Sequence, residues 1–376
     1  WEAGVNNGCS DFNNREIYYL YFNGVAWVGP LNISNSATTD SNAPELIFDV
    51  QGVVHIAWRD GEVWSADCQS SGANHIGYLR KLTDGTLTAK SSLAIDQLPN
   101  IPKLAATSDS KIHLVYLSSD DNQVKHIFNN GTGWSNPVSV FNGLVDEQEL
   151  TAGVGNTLHY VARQDGFADP LVDPDDLFRD QILYGLSHDR IMYGFYDGNN
   201  WIASQEVSRA VSSYYASYHR GVKMVVDNAN NPQVVYDHLE SVTNSNFLMW
   251  TAKFGRRPWI IPQAVNSVSN SLGNQPQLVQ ANNKLGILWQ SYYSFQPAIF
   301  FNQADLSLVN WQYPDVVQEL SATSTIAGIS LNWSQYNHPT VAFQNFNIYR
   351  STVFASSTLD MQPIGAVSAV SSTYYT

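Results

Sequence analysis

"NNGTGWSNP", residues 129–137, places a glycine three residues before a tryptophan and a proline three residues after it. Aligned on the tryptophan, the phrase returns as "FNGVAWVGP" (22–30), "YDGNNWIAS" (196–204), "GRRPWIIPQ" (255–263) and "LVNWQYPDV" (308–316). Trp27, Trp134, Trp201, Trp259 and Trp311 therefore occupy one repeated position. Gly24, Gly131 and Gly198 stand where a tight hairpin needs positive φ, and Pro30, Pro137, Pro262 and Pro314 suit an outer strand with no partner for the missing N–H.

A second phrase precedes the first. "GVVHIAW" (52–58), "SKIHLVY" (110–116), "NTLHYVA" (156–162), "NPQVVYD" (231–237) and "KLGILWQ" (284–290) are short apolar runs behind a polar turn, and Trp1 reads as the end of another. Along Trp1, Trp58, Tyr116, Ala162, Tyr236 and Trp289 the spacings are 57, 58, 46, 74 and 53 residues. One further apolar stretch flanks each run on either side, as in "PELIFDV" (44–50) and "EIYYLYF" (16–22), so each unit holds four short strands. Four strands repeated at about 50 residues per unit predict an all-β chain built as a β-propeller. Six repeats are visible over residues 1–317, the first incomplete. The tryptophan is expected to pack between neighbouring blades, and His55, His113 and His159, which share a strand position, are expected to be structural.

Composition agrees. The 376 residues are 44% hydrophobic, 12% aromatic and 14% charged, with a formal charge of −14, and no apolar run approaches a membrane span. Acidic residues spread along the chain argue against nucleic acid and anionic lipid as partners.

Residues 318–376 leave the repeat. Leu331-Asn332-Trp333, Phe346-Asn347-Ile348-Tyr349-Arg350 and Ser372-Thr373-Tyr374 resemble the Trp-bearing second strand, the third strand and a later strand of fibronectin type III domains. The resemblance implies a partial β-sandwich, short of its last two strands. Both ends are expected to fall inside a domain, as in a piece of a longer modular protein.

Cys9 and Cys68 occupy the same loop of adjacent repeats. A disulfide between them would close a loop of about 60 residues and contribute roughly 4 kcal/mol if unstrained; two free thiols are the alternative. The pairing and the fibronectin-like segment lead us to expect a secreted or cell-surface protein.

In a propeller, the loops entering the first strands and those joining second to third strands share one end of the blades. Three repeats enter through Asn-x-Pro: Asn42-Ala43-Pro44, Asn100-Ile101-Pro102 and Asn274-Gln275-Pro276. The fifth instead carries "SSYYASYHRGVK", with Tyr214, Tyr215, Tyr218, His219 and Arg220, beside the long loop of the fourth at about 163–190. Asp165, Asp169, Asp173, Asp175, Asp176 and Asp180 in that loop offer oxygen ligands for calcium without EF-hand spacing, a solvated acidic loop being the alternative. Tyr184, Tyr214, Tyr215, Tyr218, His219 and Arg220 are candidate ligand-binding residues. His188, Arg190, Tyr218, His219 and Arg220 could act on an acidic polysaccharide, arginine pairing a uronate or sulfate and Tyr or His moving a proton.

The repeats resemble those of secreted bacterial or archaeal propellers that include sialidases, polysaccharide lyases and lectins. The sialidase Asp-box, S-x-D-x-G-x-T-W, is not matched: Gly131 and Trp134 fit, but Asn129 holds the Asp position, as do Phe22 and Tyr196 in sister repeats. The expectation is a recognition, adhesion or scaffolding module whose partner is a glycan or another surface protein, with no required cofactor. A polysaccharide lyase and a subunit of a homo-oligomer or filament are the alternatives.

Overall fold

The computed structural model describes residues 2–3, 15–36, 39–64, 70–71, 75–93, 99–143, 145–168, 187–208, 217–240, 245–254, 259–260, 262–265, 274–281, 284–293, 296–305, 321–325, 328–332, 346–350, 362–367 and 374–375. These are all-β. Four successive antiparallel sheets each contain four strands in chain order, as the repeat predicts. The second sheet runs Asp40–Phe48, Val54–Trp64, His75–Lys81 and Ser91–Leu93, with Ser70–Ser71 pairing the far end of Val54–Trp64. The third runs Pro99–Ala106, Ile112–Ser118, Gln123–Asn129 and Val138–Asn142. The fourth runs Val145–Ala152, Leu158–Ala168, Ser187–Tyr196 and Trp201–Glu206, and the fifth Ser217–Val226, Pro232–Glu240, Ser245–Ala252 and Gln263–Ala264.

A three-stranded sheet stands at either end. The first comprises Glu2–Ala3, Glu16–Phe22 and Trp27–Asn32, in second, third and outer positions. The sixth comprises Asn274–Ala281, Lys284–Tyr293 and Gln296–Asp305; Trp311 lies outside the described residues. From the second sheet to the sixth, the first strands pack side by side in succession.

The second strands read as unbroken apolar runs because each feeds two cores. Leu114 and Tyr116 pack against the second sheet with Ala57, Ile76 and Tyr78, whereas Val115 and Leu117 pack against the fourth with Leu150, Leu158 and Tyr160. The same alternation sends Val234 and Tyr236 toward the fourth sheet and Val235 toward the sixth. Five apolar layers thus separate six sheets. Size is balanced inside each layer: Trp58 faces Gly77 across the strands, and a Cβ there would come within 2.4 Å of the indole. Ala162, at the position of Trp58, instead faces Met192.

The turns follow the expected chemistry. Gly24, Gly131 and Gly198 have φ of 95°, 94° and 102°. Asn23 and Asp197 accept backbone N–H bonds from the residues just beyond them, which closes each hairpin. In the second sheet, whose hairpin has no tryptophan, Leu87 bridges Lys81 as Trp134 bridges Asn129.

The repeated histidines are buried and bonded. His55 Nδ1 lies 2.6 Å from the Tyr78 hydroxyl, His159 Nδ1 2.7 Å from that of Tyr193, and His113 Nδ1 2.9 Å from His126 Nε2. In each sheet the partner sits two residues before the one directly opposite on the third strand. The next sheet's hairpin tryptophan then packs edge-on against that partner: Trp134 on Tyr78 at 5.2 Å, Trp201 on His126 at 5.4 Å and Trp259 on Tyr193 at 4.8 Å. These tryptophans join neighbouring sheets, as expected from their repetition.

Beyond residue 320, Ser321–Thr325, Gly328–Asn332 and Tyr374–Tyr375 form one small sheet, and Phe346–Arg350 and Gln362–Val367 another. Among the described residues no helix is long and apolar enough to cross a membrane.

Candidate functional site

The end of the sheets where first strands begin and second strands finish carries the departures from the repeat. In the second and third sheets the Asn-x-Pro entry makes a bulge whose central residue, Ala43 or Ile101, has a φ of 51° or 47°. The fifth sheet keeps that bulge at Arg220-Gly221-Val222, with φ of 59° at Gly221. Glycine relieves the strain an L side chain carries there. The fifth entry therefore differs in chemistry and not in backbone shape: Arg220 stands where Asn42 and Asn100 stand.

Elsewhere this end is occupied by closed internal bonds. Asp40 is fully buried and accepts both Nε and Nη2 of Arg15. Asp60, also buried, accepts Ser36 and Ser41 on one oxygen and Lys90 on the other, with His75 Nε2 at 3.5 Å. Burial alone would raise the Asp60 carboxyl, but bonds from His75, Lys90 and Ser41 and the Lys90 charge hold it well below the usual carboxylate range. Between the second and third sheets, Arg59 Nη1 donates to Asn100 Oδ1 at 3.1 Å. Asn100, the entry residue of one sheet, is thus reached by the residue following the aromatic on the sheet before it.

In the fourth and fifth sheets the equivalents of that pair are Arg163 and Arg220. Arg163 Nη1 lies 3.5 Å from Asp189, which is buried, and Arg190 bonds Gln164 at 3.0 Å and approaches Glu206 at 3.7 Å. Strand register sets Arg220 opposite Asp237, His219 opposite His238 and Tyr218 opposite Leu239. In the neighbouring sheet His188 is opposite Phe167. The two sheets abut along this seam through Glu147, which accepts the Val222 N–H at 3.1 Å. Three arginine positions and three histidine positions, together with those of Asp189, Asp237, Glu147 and Glu206, are therefore gathered on adjacent strand ends.

The structure brings Arg190, Tyr218, His219 and Arg220 to this seam as strand positions, with His188 at the start of its strand. Asp165 lies on Leu158–Ala168. Tyr184, Tyr214, Tyr215, Asp169, Asp173, Asp175, Asp176 and Asp180, with Cys9 and Cys68, lie outside the described residues. Among the described residues no group of three or more His, Cys, Asp or Glu is arranged to hold a metal ion. Sequence reasoning missed Arg163, Asp189, Asp237 and His238. Aligning the position after each second-strand aromatic would have found two of them, because Arg59, Leu117, Arg163 and Asp237 form one column.

Beside the seam, the first strands carry a ladder of alternating charge. Glu45, Lys103, Glu149 and Lys223 face Ala57, Val115, Val161 and Val235, one equivalent site in four sheets. Lys103 lies 3.0 Å from Glu45 and 3.7 Å from Glu149, and Lys223 bonds Glu149 in turn. Burial would lower the Lys103 ammonium, but Glu45 and Glu149 raise it above its ordinary value. The ladder is self-neutralising, so it leaves no single-sign field to compete with the arginines at the seam.

No family model and no curated protein matches the chain. Its structure is similar to that of a protein of unknown function from Dyadobacter fermentans, at 9% identity, with 79% of each chain covered and a TM-score of 0.45. It is also similar to the NanB sialidase of Streptococcus pneumoniae, at 9% identity over 76% of this chain and 61% of that one, TM-score 0.44. A third is the Hadza microbial sialidase Hz136, at 13% identity over 79% and 60%, TM-score 0.44. The chain spans about three fifths of the length of these two sialidases.

Proposed function

We propose that the chain is a recognition module of the β-propeller type that binds an acidic glycan at the seam of its fourth and fifth sheets. The observation that carries this reading is the replacement at that seam. Where the second and third sheets close on Arg59 and Asn100, the fourth and fifth set Arg163 and Arg220 at the same two positions, beside Asp237 and two histidine positions. Two guanidinium groups on adjacent strands suit bidentate pairing with a uronate or sulfate, and Tyr214, Tyr215 and Tyr218 would supply stacking surfaces. The propeller reading is supported by the succession of meandering sheets with adjoining first strands.

The strand order Ser321–Thr325, Gly328–Asn332, Tyr374–Tyr375 supports a fibronectin type III-like sandwich for the C-terminal segment, with Phe346–Arg350 in its second sheet. A Cys9–Cys68 bridge would fit an oxidising compartment, and with the fibronectin-like segment it supports reading the module as secreted or displayed at a cell surface.

The test is to incubate the protein with acidic and neutral oligosaccharides, measuring retention together with absorbance of unsaturated product. Retention of acidic glycans, lost in Arg220→Ala and without product, supports recognition. Product formed by the parent and abolished by His219→Ala would instead make this seam a lyase site. No retention of any acidic glycan overturns the reading.

A further inference from the structure

The joints between sheets are built from two halves. One sheet offers a third-strand side chain lying beside a second-strand residue, and the following sheet offers a hairpin tryptophan that packs on it. In the fifth sheet the first half is Trp250, whose Nε1 donates to Gln233 at the position of the histidines. In the sixth it is Phe301, two residues before Gln303, which faces Gly286 at that same position. Gly286 leaves room for the ring, since a Cβ there would lie 3.2 Å from Phe301.

Among the described residues, one half-joint of each kind is open. Phe301 is 60% exposed and shares its sheet face with Val279, Leu288 and Ile299, themselves 42–67% exposed. The opposite face of that sheet, with Leu285, Ile287 and Trp289, is buried against the fifth. At the other end Trp27 is 68% exposed and packs on Phe22 of its own sheet at 5.7 Å, with Leu20 and Phe22 exposed on the same side. A chain that packs Trp134, Trp201 and Trp259, each partly buried, into three such joints exposes the tryptophan of a fourth and the platform for it.

We propose that the sixth sheet of one copy receives the first sheet of a second copy, with Trp27 seated on Phe301. The occupant follows from the chain itself: the missing partner of a phenylalanine platform is a hairpin tryptophan, and Trp27 is such a residue with no platform among the described residues of another sheet. The contact is heterologous, because the two surfaces differ, so it links copies head to tail into a ring or a filament. It does not depend on glycan binding.

Sedimentation velocity over a range of micromolar concentrations tests this, with Trp27→Ser and Phe301→Ser alone and mixed. Both positions are exposed, so circular dichroism and thermal midpoints should match the parent. The expected result is association of the parent that each substitution shifts to at least tenfold higher concentration. Mixing the two variants should restore one joint and give a dimer that does not grow further. A parent that stays monomeric, variants that associate like the parent, or a mixture that stays monomeric would each overturn the proposal. So would a Trp27→Cys, Phe301→Cys double variant that forms its disulfide within a single chain, which would mean that the two ends meet intramolecularly.

Discussion

Tyr193 and Trp259 meet edge-on across the fourth and fifth sheets, ring centroids 4.8 Å apart at 71°, while the Tyr193 hydroxyl lies 2.7 Å from buried His159. One tyrosine thus ties the middle of its own sheet to the hairpin of the next. The same arrangement recurs with Tyr78 and Trp134, and with His126 and Trp201.

The joints should therefore dominate stability. Trp201 touches His126, Tyr160 and Tyr196, and Trp201→Ala is expected to cost about 3–5 kcal/mol. Trp27→Ala, at an exposed copy of the same sequence position, should cost under about 1 kcal/mol at dilute concentration. Urea unfolding of the two variants checks the contrast, which equal losses would contradict.

A second expectation concerns acid. Burial pushes the imidazoles of His113 and His126 down to about 4 and about 3, so both are neutral in the fold, whereas in the unfolded chain they take up protons near pH 6.5. Between those values the unfolded state binds more protons, so stability is full above about pH 6.5 and falls as pH drops toward 4. His126→Tyr copies the tyrosine of the sister sheets and removes one such group. Its thermal midpoint should fall less than the parent's from pH 7 to 4.5, a difference on the order of 2 kcal/mol. Parallel curves would show that this pair does not set the acid sensitivity.

The charge ladder gives a third. Lys103→Met leaves Glu45 and Glu149 adjacent with no cation between them, at a cost of about 3 kcal/mol near neutral pH. Burial already raises the Glu45 carboxyl, and Lys103 opposes that rise. Without the lysine Glu45 should protonate more readily, so part of the loss should return near pH 5. Denaturant midpoints at the two pH values decide this.

Much of the fold was legible because its parts are reused. The tryptophan phrase gave the hairpins, and the unbroken apolar runs gave strands covered on both sides. Less legible were substitutions that keep geometry while changing residue type. Leu87 takes the tryptophan position in the second sheet, and Gln233 with Trp250 replaces histidine with tyrosine in the fifth. Neither matches the phrase, yet both fill the same joint. The Glu45, Lys103, Glu149, Lys223 ladder was missed because its members are 46 to 74 residues apart and alternate in sign. At the candidate site, Arg220 was visible as a break in Asn-x-Pro. Its cross-strand neighbour Asp237 was not, because strand pairing alone brings the two together.

Calorimetric titration of an oligouronate against its neutral counterpart of equal length, with the parent and Arg220→Ala, tests the central claim most directly. The account predicts saturable binding of the oligouronate alone, weakened at least tenfold by Arg220→Ala and reduced by added salt as exposed charges are screened. Equal binding of both sugars, or affinity unchanged in the variant, would contradict an acidic-glycan site at this seam.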